Sequence, residues 1–292
     1  MESNASLPAR PGEPEITIRR DPLINQLSRF PWWFVALVLI AIWAGIIIFT
    51  DPDFNEALGF IIPGIQKTIV ISLSSYGIAL ILGLFAGLGR ISRNVVFGNL
   101  ATLYVEMIRG IPMLVLIFFI AFVGVPAGVS VLNNLGGLIS SMGIGFIGNL
   151  LQSFENSGVP MEWRAVIALA VTYGAFLAEI FRAGIQSIGR GQMEAARSVG
   201  MSYGQAMRYI ILPQAIRNVL PALGNDFVAM VKDSSLVSVL AIRDITQRAR
   251  LYAGSTFRFP EAYVTLAVLY LTLVVTLSLL VRLLERRMHQ DA

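Results

Sequence analysis

The sequence predicts an all-α protein, an integral membrane helical bundle of about six transmembrane helices, and three observations carry that expectation. Hydrophobic residues fill 55% of the 292 positions and charged residues only 14%, where soluble domains carry about 25% charge. A core able to hide that much apolar surface needs a polar shell, and the residues for one are missing. Uncharged runs close to the roughly twenty residues that cross the hydrocarbon recur along the chain. A chain in lipid must satisfy its backbone groups internally, which leaves helices or closed barrels, and runs of this length suit helices.

Residues 1–30 are polar, hold Pro8, Pro11, Pro14 and Pro22, and read as a flexible tail. Residues 31–49 carry no charge and form a first, extra N-terminal span; Ile46-Ile47-Ile48-Phe49 lacks the small residues of a signal-peptide cleavage site. A second span covers 68–89, Gly-rich as packed membrane helices often are and closed by Arg90 and Arg93. The third, 97–123, carries Glu106 and Arg109 near its start. Residues 124–160 are almost uncharged but rich in Gly, Asn and Ser, and read as an interfacial segment, a re-entrant segment or an extra helical hairpin. The fourth span, 164–186, holds Glu179 and Arg182, and the fifth, 216–242, holds Asp226, Lys232 and Asp233. A sixth, 262–281, is uncharged and ends in Arg282, Glu285, Arg286 and Arg287, leaving 285–292 as a short tail.

Basic residues set the orientation. With the N-terminus inside, the inner segments hold fourteen Lys and Arg and the outer ones six. That bias places both termini in the cytoplasm. Arg243, Arg248, Arg250 and Arg258 run against it on the outer side, whereas Asp51, Asp53 and Glu56 in the first outer loop agree with it.

Several chemistries are excluded. There is no cysteine, so no disulfide or thiolate metal site exists, and His289 is the only histidine, which removes His-based catalysis and most zinc chemistry. No G-x-x-x-x-G-K-[ST] occurs; its nearest approach, residues 63–68, lacks the glycine beside Lys67. No nucleophile–base constellation stands out, so the chain is not read as an enzyme.

One stretch departs from the apolar pattern. "EAARSVGMSYGQAMRYIILP", residues 194–213, holds three charged groups, Glu194, Arg197 and Arg208, between two apolar regions. Its first half forms a helix that Gly200 can stop, and Ser202-Tyr203-Gly204-Gln205 is a capping box opening a second. Pro213 limits how far that second helix runs undisturbed. Glu194 and Arg197 lie one turn apart and can pair. Such a knob is either a connecting loop or a docking element on the cytoplasmic side.

The stretch resembles the signature loop of ABC-importer membrane subunits, EAA followed by three residues, G, nine residues and I-x-L-P. Glu194, Ala195, Ala196, Gly200, Ile210, Leu212 and Pro213 stand at those positions. Tyr104-x-Glu106-x-x-Arg109-Gly110-x-Pro112, Glu179-x-x-Arg182-Ala183-Gly184-Ile185, Gly191-Gln192, Leu212-Pro213-Gln214-Ala215 and Lys232-Asp233-Ser234-Ser235-Leu236 are similar to the polar amino acid branch of that family. The likeness covers about 60–284 and implies a type I ABC importer permease fold in a bacterial plasma (inner) membrane. It implies that this chain takes up polar amino acids as half of a homo- or heterodimeric permease pair. Two cytoplasmic ATPase subunits would use ATP and Mg, no cofactor being bound by this chain, and an extracytoplasmic binding protein would deliver the amino acid. The loop 190–213 would couple the ATPase to the spans. The rival reading is a stand-alone secondary amino acid transporter or channel, which gives no reason for the knob.

Charge inside a span is costly and often functional. Asp226 and Asp233 are seven residues apart on one face of the fifth span, with Asn225 and Lys232 on the neighbouring face. Together with Ser234 and Glu179, these are the candidate substrate-path residues, since a face with both signs can receive an ammonium and a carboxylate. The alternative is that Lys232 pairs with an Asp of a neighbouring helix and only positions the span. Glu106–Arg109 and Glu179–Arg182 are each three apart and can neutralise themselves.

Overall fold

A computed structural model describes residues 32–290; the N-terminal tail proposed for 1–30 lies outside them. Among the described residues every regular element is helical. The chain divides into two compact units, residues 1–46 and 47–292. Residues 32–46 of helix α1 (Trp32–Thr50) are the described part of the first, and its last four residues belong to the second.

After α1 the second unit forms α2 (Pro52–Ile61), started by Asp51, whose carboxylate accepts from the Asp53 and Phe54 amides, and continues into α3 (Gly64–Ile91). Next come α4 (Val95–Gly110), α5 (Met113–Phe119), a π-helical turn over Ile120–Gly124, and α6 (Val125–Ser141). After α7 (Gly145–Gln152) and a 3-10 turn, the chain runs through α8 (Met161–Gln186), α9 (Arg190–Ser198) and α10 (Tyr203–Ala206). A second π-turn leads into α11 (Leu212–Asp233), a 3-10 segment Ser234–Leu240, α12 (Ile245–Thr256) and α13 (Phe259–Gln290). Among the described residues, four helical stretches are long and apolar enough to cross a membrane: Pro52–Ile91, Met113–Ser141, Met161–Gln186 and Phe259–Arg287. Helix α11 reaches about 33 Å by its 22 residues and is less apolar because of Asp226, Lys232 and Asp233.

Two boundaries differ from the sequence expectation. The third span does not run 97–123: the helix breaks at Ile111 (ψ 137°) and restarts after Pro112. The residue before a proline is driven out of the α region, so α4 becomes a separate helix and the span shifts to Met113–Ser141. The expected fifth span stops at Asp233, and the 3-10 segment that follows ends at Ala241 in the left-handed region. Residues 124–160 resolve as the rest of that third span and a hairpin of α6 against α7. Gly136 and Gly148 make it possible, because a Cβ on Gly136 would lie 2.7 Å from the Gly148 carbonyl oxygen.

Helix α8 is the hub, with Ala165, Ala168, Leu169, Tyr173, Leu177 and Ala178 all buried. Helix α3 runs beside it with like ends together: Lys67 pairs with Glu162 at one end (3.3 Å) and Arg90 with Glu179 at the other (2.8 Å). Contact is backbone to backbone through Gly83 and Gly87 of α3 against Gly174 and Ala178 of α8, the small-residue packing that lets membrane helices approach closely.

At the end of the bundle where α3 and α8 begin, α2, α12 and the start of α13 enclose Ala57, Ile61, Ile245, Ala249, Tyr252 and Ala262. Asp244 caps α12, accepting from the Gln247 amide at 2.8 Å. It is buried, its Oδ2 has no partner, and burial pushes its carboxyl up from 3.8 to about 6. The neutral acid is therefore favoured by the fold. Its stabilising contribution is complete below pH about 3.8 and is lost as pH rises through about 6. Detergent-solubilised protein should thus lose thermal stability over that window, by at most about 3 kcal/mol from this group. Asp244→Asn should remove that step; an unchanged pH profile in the variant would disprove the assignment.

Candidate functional site

The polar hairpin is built as its residues dictate. Helix α9 ends in a Schellman motif: Gly200 sits at φ +87°, its amide donates to the Arg197 carbonyl (3.1 Å), and the Met201 amide donates to the Ala196 carbonyl (3.2 Å). Two orphan carbonyls are satisfied this way. Ser202 then opens α10 with a reciprocal capping box: its hydroxyl accepts from the Gln205 amide (3.3 Å), and its amide donates to the Gln205 side chain (2.8 Å). Pro213 does not end the second arm. The π-turn Met207–Ile211 widens the helix just ahead of it, and the chain runs on into α11. The hairpin is thus joined rigidly to a long helix. Ala196, Ala206, Ile211 and Ala215 are buried along its inner face. Glu194 and Arg197 are both exposed, and the expected pair between them does not form among the ion pairs of the described residues. Ala195, Leu212 and Pro213 are exposed as well, and Ile210 is half-buried.

Above the hairpin lies a charge cluster. Arg90 reaches Glu179 (2.8 Å) and Glu106 (3.3 Å), and Glu179 also binds Arg182 of its own helix. Arg182 continues to Gln186, and Arg109 stacks 5.8 Å from the Phe176 ring centre. The Glu179–Arg182 pair is the one expected, whereas Glu106 takes Arg90 rather than Arg109. Glu179 therefore belongs to this cluster and not with the aspartates of α11. The cluster ties α3, α4 and α8 together at the hairpin end.

A second polar group lies farther along the bundle. The Tyr173 hydroxyl donates to Asp233 at 2.7 Å, and the Tyr76 hydroxyl donates to the Leu223 carbonyl at 2.6 Å. Asp226 stands within electrostatic reach of Asp233, Tyr76 and Tyr173, and its Oδ2 is buried without a partner. Lys232 is exposed and joins none of the ion pairs of the described residues, so it neutralises neither aspartate. Asn225 is exposed and bonds the Pro221 carbonyl (3.0 Å); Ser234 is buried and bonds the Val231 carbonyl (2.7 Å). Of the six residues expected on one path, the structure groups Asp226 with Asp233 and turns the others elsewhere. It adds Tyr76 and Tyr173, which sequence reading passed over because a tyrosine in an apolar span is indistinguishable from core.

The chain is similar to known proteins over most of its length. The chain is 37% identical over 228 residues to the probable glutamine ABC transporter permease protein GlnM of Bacillus subtilis, covering 78% of this chain and 93% of that one. It is 31% identical to the glutamine transport system permease protein GlnP of Escherichia coli K12, covering 80% and 94%. Among solved structures, the crystal structure of an amino acid ABC transporter with histidines superposes with a TM-score of 0.65 at 36% identity, covering 80% of this chain and 96% of that one. A family model described as the inner membrane component of binding-protein-dependent transport systems matches residues 79–290. That interval holds the capped hairpin, the charge cluster, and Tyr173, Asp226 and Asp233 of the second polar group, and the chain belongs to this family, an all-α ABC importer permease.

Proposed function

We propose that the chain is the membrane-spanning subunit of an ATP-driven importer of polar amino acids, working as one of a permease pair. The observation that carries this reading is the hairpin, a doubly capped element continuous with α11, the helix that bears Asp226 and Asp233. A rigid lever of this kind converts movement of a cytoplasmic ATPase into movement of the aspartate group. The ATPase is a separate subunit in this family, and two copies would use ATP and Mg while this chain binds no cofactor. An extracytoplasmic binding protein would deliver the amino acid. The Lys and Arg bias supports cytoplasmic termini and a cytoplasmic hairpin in a bacterial inner membrane. The coupling residues are Glu194, Ala195, Ala196, Gly200, Ile210, Leu212 and Pro213.

In this reading Asp233, oriented by Tyr173, and Asp226 present carboxylate oxygens to the amino acid's ammonium group. Charge-assisted hydrogen bonds contribute about 1.5–3 kcal/mol each. Asp233→Asn in proteoliposomes carrying the full complex should therefore reduce uptake roughly tenfold or more while the complex still purifies intact. Wild-type uptake in that variant would remove the aspartates from the path. Uptake by this chain without any ATPase would replace the importer reading with a stand-alone transporter.

A further inference from the structure

The four arginines that run against the charge bias gather around α12, and they are not equivalent. Arg258 is engaged by Asp53 (3.0 Å) and Glu56 (2.8 Å) of α2. Helix α12 contains no acidic residue. Arg243 is exposed, and neither Arg243 nor Arg248 joins an ion pair among the described residues. Arg248 is held in place all the same: its Nη1 donates to the Phe60 carbonyl at 2.8 Å, and its guanidinium lies 5.9 Å from the Phe60 ring centre. Its Nε is buried with no partner. A cavity of about 330 Å³ opens there, lined by Phe60, Arg243, Arg248, Leu251 and Ser255.

We propose that this cavity binds the phosphate headgroup of an anionic phospholipid, with Arg243 and Arg248 as the phosphate ligands and Phe60 and Leu251 beneath its glycerol and upper acyl carbons. Guanidinium groups match phosphate oxygens with paired donors, and basic pockets between membrane helices are suited to lipid headgroups. The location agrees. The site lies at the bundle end where α3 and α8 begin, opposite the hairpin, and the adjoining Ile62, Leu251 and Phe257 present exposed apolar side chains. A water-soluble anion would need only the two cations; the apolar floor and lip favour a ligand that is itself half apolar. Two cations in an outer segment also cease to be an anomaly once anionic headgroups neutralise them.

The test is a melting titration of delipidated protein in neutral detergent with phosphatidylglycerol, diacylglycerol of the same chains, or inorganic phosphate. Phosphatidylglycerol should raise the melting midpoint saturably and the other two should not. Arg243→Gln should raise the lipid concentration at half-effect roughly fivefold. Arg250→Gln, an exposed arginine of α12 outside the cavity, should titrate like the wild type. Because Arg243 makes no side-chain hydrogen bond or ion pair among the described residues, its loss should leave the lipid-free melting unchanged, which separates binding from folding. An unaltered titration of Arg243→Gln overturns the proposal, as does equal stabilisation by diacylglycerol or by inorganic phosphate. A lipid response that stays intact while binding-protein-stimulated ATP hydrolysis falls in Arg243→Gln would assign the surface to a protein partner instead.

Discussion

Gly83→Leu is expected to prevent accumulation of folded protein, while Gly77→Leu on the same helix is tolerated. A Cβ on Gly83 would sit 2.6 Å from the Leu177 Cβ and 3.1 Å from both the Ala178 amide nitrogen and the Gly174 carbonyl oxygen. One turn on, a Cβ at Gly87 would sit 2.8 Å from the Ala178 carbonyl oxygen. These neighbours are backbone and Cβ atoms, so no side chain can rotate out of the way. Overpacking a tight core usually costs about 1–3 kcal/mol. Here two whole helices must separate, and in lipid close packing is much of what holds them together, so the cost should exceed that range. At Gly77 an added Cβ meets nothing within 4 Å, and replacing glycine in a helix should gain about 0.5–1 kcal/mol. The comparison is read by monodispersity on gel filtration and by melting in detergent. If Gly83→Leu melts with the wild type, α3 and α8 are not packed through these glycines.

What sequence could supply follows from which interactions are local. The stop at Gly200 and the box from Ser202 to Gln205 were legible because every partner lies within five residues. The Glu179–Arg182 pair was legible for the same reason. Arg90 choosing Glu106 and Glu179 was not, since sixteen and eighty-nine residues separate those partners. Nor was the bond from Tyr173 to Asp233, sixty residues apart. The break at Ile111–Pro112 was within reach of the local rule for residues before proline, but the apolar run across it masked the boundary. Pro213 marked a local disturbance, the π-turn ahead of it, but did not reveal that the chain runs on beyond it into α11. The hairpin of α6 and α7 depends on Gly136 meeting Gly148, and a glycine-rich uncharged stretch states no partner.

Gly200→Val and Glu194→Ala should leave membrane insertion and detergent melting nearly normal yet disconnect the chain from its ATPase. At Gly200 an added Cβ would touch nothing within 4 Å, so the penalty is purely backbone: a β-branched residue held at φ +87° costs about 1–2 kcal/mol. The simplest relief is to leave the left-handed region, which breaks the Schellman bonds from Gly200 and Met201 and swings α9 away from α10. Val199, which is 77% exposed, would move with it, and the surface offered to a partner would change shape. Gly200→Asn should largely preserve function, because asparagine tolerates the left-handed conformation. Glu194 acts differently. It is exposed and joins no ion pair among the described residues, so its removal costs the isolated chain little. If it is buried against a basic group of the ATPase, truncation should cost about 2–5 kcal/mol of docking, a loss of more than tenfold in affinity. Measuring recovered ATPase and uptake together distinguishes the two effects: Glu194→Ala should lose bound ATPase, whereas Gly200→Val should lose it or retain it with hydrolysis uncoupled from transport. Normal values for both variants in both assays would reduce the hairpin to a connecting loop.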